Sequence, residues 1–158
     1  EAGERAMSET GTVFIPPESG RRRASSFIQP LLLIPLIIYN VVAFVFMGGS
    51  PAGWSTELFT VPMVSGTPWS LTAGDLMLVL GLVCLFFEIV KSTNTGRTSV
   101  MEHMLSTLVF VVFLVEFILA GAAGSSVFFL LMVMALFDVI AGFTVSITAA
   151  GRDVTMAG

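Results

Sequence analysis

The sequence predicts an all-α integral membrane protein: four transmembrane helices in an antiparallel bundle, with both termini in the cytoplasm. Three observations carry that prediction. Of the 158 residues, 55% are hydrophobic and 11% are charged, whereas a soluble domain carries roughly a quarter charged residues. Four apolar stretches are long enough to cross a bilayer, which takes about 20 residues. With four spans, every Lys and Arg falls on one side of the membrane, as the positive-inside rule requires. No stretch alternates like a barrel strand, and backbone groups in lipid have to be satisfied within their own segment, so the spans are read as helices.

Residues 1–26 form the first unit. They hold Glu1, Glu4, Arg5, Glu9, Glu18 and Arg21 to Arg23 together with Pro, Gly and Ser, and show no helical period. They read as a disordered cytoplasmic tail. Met7-Ser8-Glu9 looks like a natural start, with residues 1–6 as an upstream extension. Arg21, Arg22 and Arg23 anchor the chain at anionic lipid and set its topology.

The membrane domain covers residues 27–150. The first span runs from about Phe27 to Met47, and at about 21 residues it exceeds the apolar core of a secretory signal. "GGSPAG" (Gly48 to Gly53) ends it with turn chemistry. The outer loop, residues 48–70, contains Trp54, Phe59, Pro62, Pro68 and Trp69 with Glu57 as its single charge. Its Trp residues suit the aromatic belt, and "TELFTVPMV" reads as a short strand or a segment lying on lipid or on a partner subunit. The second span covers residues 71–90, the third 100–120 and the fourth 127–150. "KSTNTGRTS" (Lys91 to Ser99) separates the second from the third, and "GAAGSS" (Gly121 to Ser126) makes a tight hairpin before the fourth. Lys91, Arg97 and Arg152 are the remaining topology anchors. Residues 151–158 form a short cytoplasmic tail.

The polar residues inside the spans are the candidate sites. Thr72-x-x-Asp75 and Ser99-x-x-Glu102 match capping boxes, and each puts an acid at the positive end of a helix. His103 follows in the first turn of the third span, where a structural role is expected. Glu88 and Lys91 stand i, i+3 and pair on one helix face. Glu116 lies about one turn inside the outer face. Asp138 is twelfth of twenty-four residues in its span, about 17 Å from either end. An acid at that depth costs roughly 2.5–3.5 kcal/mol on insertion and calls for a partner. Asn40, at comparable depth by residue count, is the expected one, with water or another protein as alternatives. Asp138, Gly142, Ser146 and Ala150 recur every four residues, a small or polar stripe that belongs against other helices. Gly74, Gly81 and Glu88, seven apart, repeat the idea on the second span.

The function classes narrow accordingly. No basic groove interleaved with aromatics marks a nucleic-acid partner. The single cysteine, Cys84, and the single histidine leave no redox pair and no metal-ligand cluster, and no catalytic motif is present. No enzyme activity, cofactor or metal is expected. The expected partners are the lipid bilayer and either other membrane subunits or further copies of the chain. An accessory or scaffold subunit of a larger membrane complex is the first expectation. The alternative is a small oligomeric proton- or cation-linked transporter or channel using Asp138. From "FFEIVKSTNTGRTSVMEHMLSTLVFVVFLVEFILAG" through "LFDVIAGFTVSI" (Phe86 to Ile147) the chain resembles a group of uncharacterised bacterial four-helix inner-membrane proteins. That resemblance implies a bacterial inner membrane and no particular activity.

Overall fold

The structure is a computed structural model and describes residues 29–92 and 99–156. The chain is mostly helical, and three of its helices are long and apolar enough to cross a membrane. They are α2 (Ala73–Ser92), α3 (Ser99–Leu119) and α4 (Ser126–Met156). A shorter helix, α1 (Leu33–Val41), precedes them and runs into a π turn, Val42–Phe46. Between α1 and α2 come a 3-10 turn (Pro51–Ser55) and two strands, β1 (Glu57–Pro62) and β2 (Pro68–Thr72). A second 3-10 turn, Gly121–Ala123, joins α3 to α4.

Three expectations change here. The fold is not purely helical: β1 and β2 pair antiparallel into a two-stranded ribbon. Pro62 and Pro68 sit at its far end, and Gly66 at a φ of 84° makes the turn, a conformation glycine enters at little cost. β2 also occupies residues expected at the start of the second span. The first helix is shorter than its apolar stretch. Leu33 and Ile34 donate to the carbonyls of Pro30 and Leu31 in a turn that leads into α1. Pro35 falls in the first helical turn, where its missing N–H leaves no intrahelical bond unmade. From Leu33 to Phe46 the helical path is about 21 Å, short of an about 30 Å hydrocarbon core. Finally, α4 does not stop near residue 150. It runs 31 residues to Met156, because Gly151 alone costs about 1 kcal/mol against Ala and no proline follows. The N-terminal tail and the side chains of Arg21, Arg22, Arg23, Arg97, Ala150 and Arg152 lie outside the described residues.

Packing centres on α4, which lies against both α2 and α3, while α1 sits on α2 and α4. The core runs through Leu36 and Tyr39 of α1, Met77 of α2, Phe113 of α3, and Phe128, Leu131 and Ala135 of α4. Close approach depends on three glycines, of which Gly74 lies against the Val127 side chain. A Cβ at Gly81 would run into the Leu131 side chain, and one at Gly142 into the His103 imidazole. The outward surfaces are apolar: Leu76, Val79 and Val83 on α2, Leu108 and Ile118 on α3, Phe137 and Ile140 on α4 are all exposed. Apolar residues inside and outside together suit a lipid solvent rather than water.

Candidate functional site

Polar side chains gather at two levels of the bundle. The level nearer the α2–α3 connection is charged. Glu88 comes from α2, one turn from its end, and is 5% exposed. Its Oε2 accepts the Leu31 N–H at 2.7 Å. The entry to α1 has no side-chain cap of its own, and its first amides lack intrahelical acceptors. Glu88 therefore caps α1 from a different helix. Its Oε1 lies 3.8 Å from Lys91 Nζ, and Lys91 reaches on to Glu102 Oε1 of α3 at 3.7 Å. Lys91 is the sole Lys or Arg among the described side chains, and it stands between two carboxylates.

Asp138 of α4 completes this level at 4% exposure. It is hydrogen-bonded to Ser106 of α3, with His103 and Lys91 as its nearby positive or ionisable groups, and it is close enough to Glu88 for the two acids to interact. His103 and Ser106 are themselves buried. Gly142 makes room for His103, one turn along α4 from Asp138. Thr107 Oγ1 donates to the His103 carbonyl at 2.8 Å, and the imidazole faces α4, against Gly142 and tilted toward Phe143. Three helices thus pool Glu88, Lys91, Glu102, His103, Ser106 and Asp138. In a medium of low polarity each acid of such a set has to be paired, hydrogen-bonded or protonated within the cluster.

The second level is neutral apart from Glu116. Asn40 Nδ2 donates to Glu116 Oε2 at 3.0 Å and to the Leu36 carbonyl at 3.0 Å. Nearer the ribbon, the Tyr39 hydroxyl donates to the Ala122 carbonyl at 2.9 Å and contacts Ser125 Oγ at 2.7 Å. Ser125 Oγ in turn accepts the Phe128 N–H at 3.1 Å, capping α4. The Tyr39 ring stacks on Trp54 at 4.5 Å and meets the edge of Phe128 at 4.7 Å. At the root of the ribbon, Thr72 and Asp75 form the expected reciprocal cap. Asp75 Oδ2 accepts from the Thr72 amide and hydroxyl at 2.8 and 2.7 Å, and Thr72 Oγ1 accepts the Asp75 N–H at 3.1 Å.

The expected pairing of Asn40 with Asp138 is overturned. Asn40 meets Glu116 and Asp138 meets Ser106. Those partners sit ten residues apart on α3, about 15 Å along the axis. The chain already stands at the charged level at Leu31, where it meets Glu88, so nine residues later Asn40 has risen past Asp138 to the level of Glu116. Glu88 and Lys91 pair as expected, but Lys91 is shared with Glu102. The Ser99 side chain, the other half of the second capping box, lies outside the described side chains. Ser106 and the reach of Glu88 to Leu31 were missed. The signals were present: Glu102, His103 and Ser106 share an i, i+3/i+4 face, and "IQPLLLIP" begins a helix without a capping residue.

Two cavities lie beside these levels. One of about 330 Å³ opens between α3 and α4 and is lined by His103, Met104, Thr107, Phe143 and Ser146. Ser146 Oγ is buried there without a hydrogen-bond partner. The other, about 410 Å³, lies at the ribbon end among Trp54, Ser55, Asp75, Gly124 and Ser126. Among the described residues no three His, Cys, Asp or Glu side chains converge as metal ligands. Comparison with known protein families, curated proteins and solved structures finds no match to this chain.

Proposed function

We propose that the chain is a small, non-catalytic accessory or scaffold subunit of a bacterial inner-membrane complex, with both chain termini in the cytoplasm. The observation that carries this reading is where the polar groups go. Glu88, Glu102, Asp138, Asn40, Glu116 and Tyr39 each find a partner on another helix or its connecting turns. Interhelical polar bonds of this kind hold a bundle together. They leave the apolar outer surfaces to meet lipid and neighbouring subunits. The basic residues at the N-terminus, between α2 and α3 and after Gly151 support the orientation, and the resemblance of Phe86 to Ile147 supports the bacterial membrane. The test is extraction of the tagged protein in mild detergent followed by native mass spectrometry. Co-purification with other membrane subunits in fixed ratio is the expected result. A monomer or homo-oligomer alone would sink the reading.

One observation favours a second reading, a small proton- or cation-linked transporter. Asp138, His103 and Glu88 bring ionisable groups from three helices together inside the bundle. That arrangement suits a relay. Under this reading Asp138→Asn abolishes flux in proteoliposomes while leaving the fold intact. Under the accessory reading the same variant changes stability and leaves every flux unaltered.

A further inference from the structure

The ribbon between α1 and α2 has two unlike faces. Directly opposed residues in an antiparallel pair share a face, and the faces alternate along each strand. Phe59 stands opposite Leu71 and Val61 opposite Trp69, so these four make one face, entirely apolar. Thr60 stands opposite Ser70 and Pro62 opposite Pro68, and a bulge between Glu57 and Phe59 shifts the register so that Glu57 stands opposite Thr72, which gathers the hydroxyls and the one acid on the other. A 2.8 Å bond between Thr60 Oγ1 and Ser70 Oγ ties the polar face together. Within the chain three of the four are exposed, and Leu71 at the root is half-buried. Phe59 is 54%, Val61 40% and Trp69 48% exposed.

The roots of the ribbon are fixed. Thr72, the last residue of β2, caps α2, and Ala73, the first residue of α2, donates its N–H to the Thr56 carbonyl at 3.0 Å. No linker separates the ribbon from the helix. The apolar face therefore begins at Leu71, five residues before the exposed apolar row Leu76, Val79 and Val83 of α2.

Two physical limits then bracket the ribbon. A two-stranded hairpin is at best marginal alone in water, and this one would hold a large apolar face there. It cannot sink into hydrocarbon either, since both outer strand edges carry backbone groups that need water or headgroups. The membrane interface satisfies both limits. We propose that the β1–β2 ribbon lies on the bilayer surface as an amphipathic anchor, with Phe59, Val61, Trp69 and Leu71 toward the acyl chains and Thr60, Ser70 and Glu57 toward water. Trp69 sits at the depth where tryptophan is enriched. No Lys or Arg occurs between residues 48 and 70, so the anchor works through apolar burial rather than attraction to anionic lipid. The inference rests on α2 as a membrane span.

The chain has two tryptophans, and Trp54 is buried. Trp54→Phe leaves Trp69 as sole reporter in phosphatidylcholine vesicles. Flotation of the vesicles after alkaline washing checks the span by itself. Lipid brominated near the glycerol end of its acyl chains should then cause an about twofold loss of Trp69 emission, as for a ring seated at the interface. Aqueous iodide should have little effect. Quenching by iodide and not by bromolipid would put the ribbon in water, and protection from both would put a protein on it; either result overturns the proposal. Should Trp54→Phe fail to fold, the difference between the native chain and Trp69→Phe isolates the same signal.

Discussion

The two ends of the bundle solve one problem in opposite ways. Each must join helices while burying polar groups in an apolar surround. At the α2–α3 end the solution is ionic, with Lys91 shared between Glu88 and Glu102 and Asp138 beside Ser106 and His103. At the ribbon end it is rings and hydroxyls, with Tyr39 stacked on Trp54 and bonded to Ala122 and Ser125. The difference lies in what a single loss leaves behind. Deleting one charge strands another in a place that cannot solvate it, whereas deleting one hydroxyl leaves a neutral group with a milder need.

The largest effect should come from Lys91→Met. It leaves the carboxylates of Glu88, Glu102 and Asp138 without the lysine that links them, and breaking a buried pair this way costs about 3 kcal/mol. Thermal unfolding in detergent measures it. Pairing the change with Glu102→Gln should recover part of the loss, and no recovery would mean that Lys91 acts through packing instead. Next comes Gly142→Ala. Its Cβ meets the His103 imidazole, so α3 and α4 must part or His103 must turn, at about 2 kcal/mol. A His103→Ala partner change should make the same alanine nearly harmless. The smallest effect belongs to Tyr39→Phe. It keeps the ring stack and removes the hydroxyl between Ala122 and Ser125, at about 1 kcal/mol. If Tyr39→Phe proved as costly as Lys91→Met, the contrast between the two ends would be broken.

How much of this the sequence disclosed depends on range. Local chemistry read well. Thr72-x-x-Asp75 announced the start of α2, and the Gly-rich turn at Gly121 marked the α3–α4 hairpin. The stripe Asp138, Gly142 and Ser146 pointed at a helix-facing side because four-residue spacing is a property of one helix alone. Long-range facts were hidden. Glu88 and Leu31 are 57 residues apart, and nothing local tells a carboxylate which helix end it will cap. The pairing of Asp138 failed on axial level and on direction around the helix, two quantities that packing decides. The ribbon was half visible: "TELFTVPMV" suggested a strand, but its partner "PWSLT" was hidden because Leu71 and Thr72 read equally well as the first turn of a span.

The length of α4 has a mechanical consequence. Its 31 residues make a rod of about 46 Å, against about 30 Å of hydrocarbon. A tilt near the usual 20° or so absorbs only a small part of the excess. In the proposed orientation a surplus of about 14 Å, two to three turns, projects past the hydrocarbon on the same unbroken helix that carries Asp138 and Gly142. No proline interrupts it. A torque applied to those C-terminal turns would reach the Gly142–His103 contact along one continuous helix.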